Sequence, residues 1–295
     1  MRAAQGARLN EGSAIGIWTA RLTPALILAL TSVLGLAAFL YPFFLPALPA
    51  ASGSMMAHAS DAPLLTVLLI GLCLMTALAG LNAQQMTSKM TALLGILVAL
   101  NAVLRALPGP AGFSAIFVLP ILAGYAYGPT FGFLLGALSL LVSALIGGGV
   151  GPWLPYQMFA TAWVGMLSGL LPGGRGAGSK SEPFLLAIWG GILGFVFGAI
   201  MNLWFWPFLA GGIAGGTAAG GASGLDTWHP GLSIWPTLRA YLVFYAATSL
   251  WWDLGRAAGN ALLILFLARP VLRVLRRFRN RFHFDLIPVI DFSDL

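Results

Sequence analysis

Four apolar stretches follow one another in the middle of the chain with very little polar sequence between them. They occupy residues 90–106, 113–127, 130–146 and 154–171. A hydrocarbon core about 30 Å thick needs about 20 apolar residues per helix, and each stretch comes close to that length. Because the connections are only a few residues long, consecutive spans have to run antiparallel and lie side by side. The central part of the sequence therefore predicts a compact bundle of membrane helices.

Composition supports the same conclusion for the whole chain. Of its 295 residues, 59% are hydrophobic and only 8% are charged. Soluble globular domains carry about 25% charged residues, so this composition excludes a soluble globular protein. The apolar stretches show no period-2 alternation, which argues against a membrane β-barrel and leaves helices to satisfy the backbone. We therefore predict an all-α polytopic membrane protein.

Further apolar segments extend the bundle to about eight spans. They cover residues 22–48, 63–81, 184–209 and 236–268. The last is interrupted near Trp251-Trp252-Asp253, which predicts either one final helix or two stacked helical pieces. A cleaved signal peptide is an alternative for the first segment. Because that segment is longer than the 7–15 apolar residues that signal peptides use, a retained helix is favoured, and cleavage stays open.

The distribution of basic residues predicts the orientation. With an internal N-terminus, eight spans place twelve of the fifteen basic residues on the cytoplasmic side, as the positive-inside rule requires. Half of the twelve lie close together near the C-terminus: Arg269, Arg273, Arg276, Arg277, Arg279 and Arg281. Beside a membrane helix, such a cluster is typical of the cytoplasmic surface and its anionic headgroups, so we expect no nucleic-acid binding. Both termini are predicted to be cytoplasmic, in a plasma-membrane protein.

Signs of catalysis are sparse. The three histidines, His58, His229 and His283, are far apart and lack metal-ligand spacing, and Cys73 lies alone in an apolar run. No two carboxylates share a helix face within the spans. The glycine-rich segment 173–181 does not match the spacing of a phosphate-binding loop. We therefore expect no enzymatic activity, metal or cofactor.

Polar residues collect instead at the predicted outer ends of the spans. Asn101 and Arg105 lie one helical turn apart on one face, and Tyr156 and Gln157 follow a glycine-rich outer loop. Ionisable groups at membrane depth usually pair or face a cavity. These residues predict an outward-facing pocket for an amphipathic or aromatic small molecule.

Each of these residues also has a plain structural interpretation. The tryptophans fit an interfacial aromatic belt, and Arg105 could extend to lipid headgroups. Asp253 and Arg256 have the spacing of an ion pair at a helix end. Gln157 and Asn202 could hydrogen-bond between helices, although they are the better individual candidates for ligand contacts.

The helix over residues 90–106 also carries a face of small residues, Ala92, Gly95 and Ala99. Small residues let another helix approach closely. Spacing alone slightly favours packing within the chain, and docking of a separate membrane subunit is the alternative.

Several of these segments resemble the substrate-binding S component of energy-coupling factor (ECF) transporters. The resemblance lies in the helix ending at Arg105 and in two glycine-rich blocks, Gly124-Tyr-Ala-Tyr-Gly-Pro-Thr-Phe-Gly-Phe-Leu-Leu-Gly-Ala-Leu-Ser139 and Gly148-Gly-Val-Gly-Pro-Trp-Leu-Pro-Tyr-Gln-Met158. Met201-Asn-Leu-Trp-Phe-Trp-Pro207 and Thr248-Ser-Leu-Trp-Trp-Asp253 resemble longer members.

The resemblance implies a six-helix substrate-binding core over residues 89–270. A leader and two accessory transmembrane helices would precede it in residues 1–88, and residues 271–295 would form a basic cytoplasmic tail. The function implied is capture of a vitamin or related micronutrient, most like members predicted to take up cobalamin or its precursors. The expected partners are a coupling transmembrane subunit and two ATPase subunits. Members carry an Ala-x-x-x-Ala docking motif, in which Gly95 here replaces the first alanine.

From topology and resemblance together we predict two sets of functional residues. The substrate contacts are Asn101, Arg105, Trp153, Tyr156, Gln157, Asn202 and Asp253, and the docking residues are Ala92, Gly95 and Ala99. A self-sufficient secondary transporter is the first rival, although we find no internal repeat of the kind such transporters usually have. A membrane enzyme acting on lipids is the second.

Overall fold

The structure is a computed structural model that describes residues 23–45, 57–83, 86–106, 109, 113–172, 178–213 and 228–282. Within those ranges every regular element is a helix. In chain order they are α1 (Thr23–Phe44), α2 (Ala62–Asn82), α3 (Ser88–Arg105), α4 (Val118–Tyr127), α5 (Pro129–Ser143), α6 (Leu154–Gly169), α7 (Glu182–Ile213), α8 (Ile234–Thr248) and α9 (Leu250–Phe282).

The prediction of an all-α polytopic membrane protein is confirmed. Helices α1, α2, α3, α5, α7 and α9 are long and apolar enough to cross a bilayer. Helix α4, extended by a 3₁₀ turn at Ala115–Phe117, and α6 are shorter and occupy the other two predicted positions. The last predicted segment consists of two helices, with the break at Ser249, and the Thr248 hydroxyl there donates a hydrogen bond to the carbonyl of Phe244 at 2.7 Å.

Glycines hold α4, α5 and α6 together at the centre. A side chain at Gly132 would overlap the carbonyl of Gly165, and one at Gly136 would overlap the carbonyl of Thr161. Backbones that approach this closely leave no room for any side chain between them. The turn between α4 and α5 is short. Gly128 adopts φ +100° there, and Pro129 is the first residue of α5.

Helices α7 and α9 pack antiparallel along one side of this centre. The Gly190, Gly194 and Gly198 stripe of α7 faces α9, where Ile264, Ala257 and Asp253 lie against the three positions in that order. The end of the bundle where α3, α5 and α7 terminate is called the outer end below. The opposite end, where α7 begins, is called the inner end.

Helix α9 continues beyond the predicted domain boundary at residue 270. Pro270 lies inside the helix, and Leu272 and Leu275 in the next turns are buried. Tyr127 donates a hydrogen bond to the carbonyl of Leu275 at 2.6 Å, and Arg279 donates one to the carbonyl of Ala126 at 2.9 Å. These contacts hold residues 271–282 against the bundle as helix. The predicted leader, the possible cleavage site after residue 48 and the tail beyond residue 282 lie outside the described residues.

The accessory helices α1 and α2 pack on the core. Gly35 of α1 lies directly against the rings of Phe159 and Trp163 on α6. The turn just before α2, residues 57–61, also contacts the core at the outer end. The accessory pair is therefore part of the same packed bundle.

Candidate functional site

Arg105 and Gln157 meet at the outer end. Arg105 is the last residue of α3, and its Nη2 donates to Oε1 of Gln157 on α6 at 2.8 Å. Its Nη1 lies 3.5 Å from both the Leu140 carbonyl and the Ser143 hydroxyl on α5. The half-buried guanidinium thus links three helices.

The glycine-rich loop after α5 leaves room for this arginine. Any Cβ on Gly148 would lie 2.9 Å from Arg105 Nη1 and from the Ser143 carbonyl. Gly149 has φ +81°, a conformation that favours glycine, so the chain reverses sharply there. The ring of Trp153 then packs over Gly151. The loop backbone and this ring therefore border the Arg105 group.

Tyr156 faces a different direction from its neighbour Gln157. Its hydroxyl lies 2.7 Å from His58 Nδ1 and donates to Asp61 Oδ2 at 2.8 Å, while those two atoms are 2.9 Å apart. Tyr41 Oη approaches the same His58 nitrogen at 3.2 Å. Burial alone would raise the pKa of Asp61, but the hydrogen bonds from His58 and Tyr156 outweigh it and hold that pKa below its ordinary value.

Aromatic rings enclose this polar group. Phe39 meets Tyr156 edge-on, Phe208 meets His58 in the same way, and Trp204 stacks on His58 with ring centroids 6.5 Å apart. Sequence reasoning did not predict His58 or Asp61 as site residues. The only signal was their i, i+3 spacing in a loop without Lys or Arg.

Several buried polar atoms at the outer end have no hydrogen-bond partner among the described residues. Both amide atoms of Asn101 are unpaired, as are Nδ2 of Asn202, Nε1 of Trp204 and Nε2 of His58. Buried polar groups in folded proteins are almost always paired with protein or water. These buried atoms are therefore among the unsatisfied polar groups at the outer end.

Asp253 belongs to a separate cluster between α7, α8 and α9. It forms an ion pair with Arg256 and accepts a hydrogen bond from Tyr245 at 2.9 Å. Its carboxylate fills the space above Gly198, and the side chain of Arg256 lies 5.2 Å from the ring centre of Phe197. The predicted ion pair is present, and among the described hydrogen bonds none connects Asp253 to the Arg105 group.

The small-residue face of α3 points away from the bundle. Ala92, Gly95 and Ala99 are exposed, and a Cβ on Gly95 would meet nothing within 4 Å. The adjoining Ile96 and Leu100 are exposed as well. This face is therefore not used for packing by the described part of the chain.

Trp251 and Trp252 are 72% and 58% exposed, as expected of an aromatic belt. Among the described residues no group of three or more His, Cys, Asp or Glu side chains could hold a metal ion.

The chain matches a known protein family over most of its core. Residues 88–268 match the family model described as "ECF transporter, substrate-specific component". The matched region runs from α3 into α9 and leaves out the accessory helices α1 and α2. Neither the curated proteins nor the solved structures contain a significant match.

Proposed function

The chain belongs to the substrate-specific components of ECF transporters, and on that basis we propose that it captures a vitamin or related micronutrient at its outer end. Such components are substrate-binding subunits of transporters and not enzymes. They work with coupling and ATPase modules. Within the proposal, cobalamin or a precursor is the first compound to test.

The arrangement of Arg105 and Gln157 is the observation that carries this proposal. A guanidinium held between three helix ends, beside the unpaired amide of Asn101, offers hydrogen-bond donors and acceptors at one place. Guanidinium groups bind phosphate and carboxylate, and amide side chains pair with amides. Trp153 adds an aromatic surface beside them. This chemistry suits a ligand with a flat ring, amide groups and a negative charge, which cobalamin has.

The other residues predicted as substrate contacts would have supporting roles. Tyr156 would support the site from behind through His58 and Asp61. Asn202 would offer its unpaired Nδ2, while Asp253 would hold α7, α8 and α9 in register.

The partners follow from the same membership. We propose that a coupling transmembrane subunit docks on Ala92, Gly95 and Ala99, and that two ATPase subunits drive the import. The exposed small-residue face of α3 supports this placement. Both termini would be cytoplasmic in the plasma membrane, as the positive-inside rule favours.

The experiment is ligand binding to the purified chain and to Gln157→Ala. Mass spectrometry of small molecules that co-purify with the chain identifies the ligand, and labelled cobalamin serves as the first probe. We expect Gln157→Ala to weaken binding about ten-fold or more, because the half-buried guanidinium of Arg105 loses its partner. Trp252→Ala, at an exposed position, is the control and should bind normally.

Unchanged affinity in Gln157→Ala would remove this residue from the site. Uptake by cells that lack every ATPase partner would contradict the ATP-driven role and favour a secondary transporter.

A further inference from the structure

A cavity lined by arginines lies at the inner end, outside the site described above. It has a volume of about 590 Å³ and is formed by the turn before α7, the first residue of α7 and the C-terminal half of α9. Its lining residues are Gly178, Ser179, Glu182, Arg269, Leu272, Arg273, Arg276, Arg277 and Asn280. The proposed substrate site and docking face use none of these residues.

Hydrogen bonds hold one wall of the cavity in place. Arg276 forms a two-pronged ion pair with Glu182, in which Nη1 and Oε2 are 3.0 Å apart. Tyr125 donates to the same carboxylate at 2.9 Å, and the backbone N–H of Gly178 does so at 3.0 Å. Arg269 donates to the carbonyl of Lys180 at 3.3 Å. The carboxylate is therefore fully occupied within the wall.

The cavity carries a large excess of positive charge. Four guanidinium groups line it, and Glu182 is the only carboxylate among the lining residues. Arg273 and Arg277 make no ion pair with the described acidic residues. Guanidinium groups gathered in one concave site repel each other and attract an anion. Arginine is also the side chain best shaped to bind phosphate with two parallel hydrogen bonds.

The cavity continues into an apolar stripe along α9. Leu262, Leu265 and Phe266 are exposed and lie one to two turns before Arg269 on the same face. Arg273 and Arg277 extend this face by one and two further turns. A molecule that follows the stripe would therefore place hydrocarbon on the leucines and a charged group among the arginines.

We propose that this cavity binds the phosphate headgroup of an anionic glycerophospholipid from the leaflet at the inner end. Basic pockets between membrane helices bind such headgroups. The volume lies within the range of ligand pockets and exceeds what a single phosphate fills. The acyl chains lie along Leu262, Leu265 and Phe266. The site depends only on the chain spanning a membrane, so it stands independently of the substrate and of the transport partners.

The test is native mass spectrometry of the full chain in detergent, titrated with phosphatidylglycerol or with phosphatidylcholine. We expect preferential binding of phosphatidylglycerol. Arg273→Gln should weaken that binding about five-fold, and the Arg273→Gln/Arg277→Gln pair about 25-fold, because each arginine near a membrane surface contributes a similar increment. Arg239→Gln on α8 removes the same single charge outside the cavity and should leave binding unchanged.

Equal binding of the two lipids, or normal phosphatidylglycerol binding by the double variant, would overturn the proposal. Inorganic phosphate that displaces the lipid completely at low millimolar concentration would overturn it in favour of a site for free phosphate. If the double variant keeps its lipid but no longer co-purifies with ATPase subunits, the cavity is a protein-docking site and the lipid proposal fails. Thermal melting of each variant shows whether the chain is still folded.

Discussion

Tyr156, His58 and Asp61 share one closed set of hydrogen bonds in which every pair of groups is in contact. The hydroxyl, the imidazole Nδ1 and the carboxylate Oδ2 lie 2.7 to 2.9 Å from one another. Two of these residues belong to the turn before α2, and the third belongs to the core. The set therefore attaches the accessory helices to the core at the outer end.

The Tyr156→Phe variant tests that attachment. It keeps the ring and removes the hydroxyl, so Asp61 loses its closest donor and His58 its closest partner. We expect a loss of about 1–2 kcal/mol in the free energy of unfolding, seen as a lower melting temperature. Tyr41→Phe is the matched control, because the Tyr41 hydroxyl makes a longer contact with His58, at 3.2 Å, and should matter less. Equal melting of Tyr156→Phe and the unmodified chain would show that the set contributes no stability.

The lowered pKa of Asp61 gives these hydrogen bonds a pH dependence. A carboxyl whose pKa is lower in the folded state contributes stability above its unfolded pKa, and that stability is lost as pH falls through the folded pKa. The ordinary value is 3.8, so the loss belongs to the acid range below it. We expect the melting temperature to fall less between about pH 5 and about pH 3 in Asp61→Asn than in the unmodified chain. A larger fall in the variant would contradict this assignment.

At the scale of elements, the α7–α9 contact depends on Gly198. The Asp253 carboxylate occupies the space where a side chain at position 198 would lie. Asp253 is buried, with an exposed fraction of 2%. Its partners Arg256 and Tyr245 hold it in that position. A larger residue at 198 must therefore displace a buried ion pair as well as separate the helices.

Alanine substitutions at two helical glycines separate this effect from helix propensity. Gly198→Ala should destabilise the protein by about 2 kcal/mol or more, because overpacking typically costs 1–3 kcal/mol. Gly71→Ala on α2 meets nothing within 4 Å and should stabilise by about 0.5–1 kcal/mol. Melting temperatures of the two variants measure the difference. A gain at both positions would show that Asp253 moves aside at no cost.

At the scale of the whole molecule, substrate binding and coupling are predicted to lie on separate surfaces. The Arg105 group is at the outer end of α3, while Gly95 lies near the middle of the same helix on its exposed face. A change at Gly95 should therefore affect assembly without affecting the ligand.

Gly95→Leu is expected to bind ligand normally and to lose uptake, because the bulky side chain prevents close approach of a partner helix. Co-purification of the coupling subunit and transport in whole cells measure this. Gly71→Leu provides a matched control, since it places the same side chain on an equally open surface of α2. Normal co-purification by Gly95→Leu would exclude this docking face.

The sequence predicted where the helices lie and that the last segment is interrupted near Trp251, because hydropathy and turn residues are local signals. Of the described helices, six are long and apolar enough to cross a bilayer, and the break lies at Ser249. The sequence also predicted Arg105 and Gln157 as members of one site, since topology brings their helix ends together. It did not predict the contact of His58 and Asp61 with Tyr156, which joins residues more than 90 positions apart. Nor did it predict that α9 passes Pro270, because the stabilising contacts of Leu272, Leu275 and Arg276 are tertiary.

The close backbone contacts at the glycines of α4, α5 and α6 also limit how the protein can change its conformation. Where main chain touches main chain, there are no side chains whose rotamers could adjust, so one helix cannot slide past another without a collision. The three helices must then travel as a single rigid piece. A conformational change that releases a bound substrate therefore has to involve the surrounding helices and loops, or a reorientation of the whole protein.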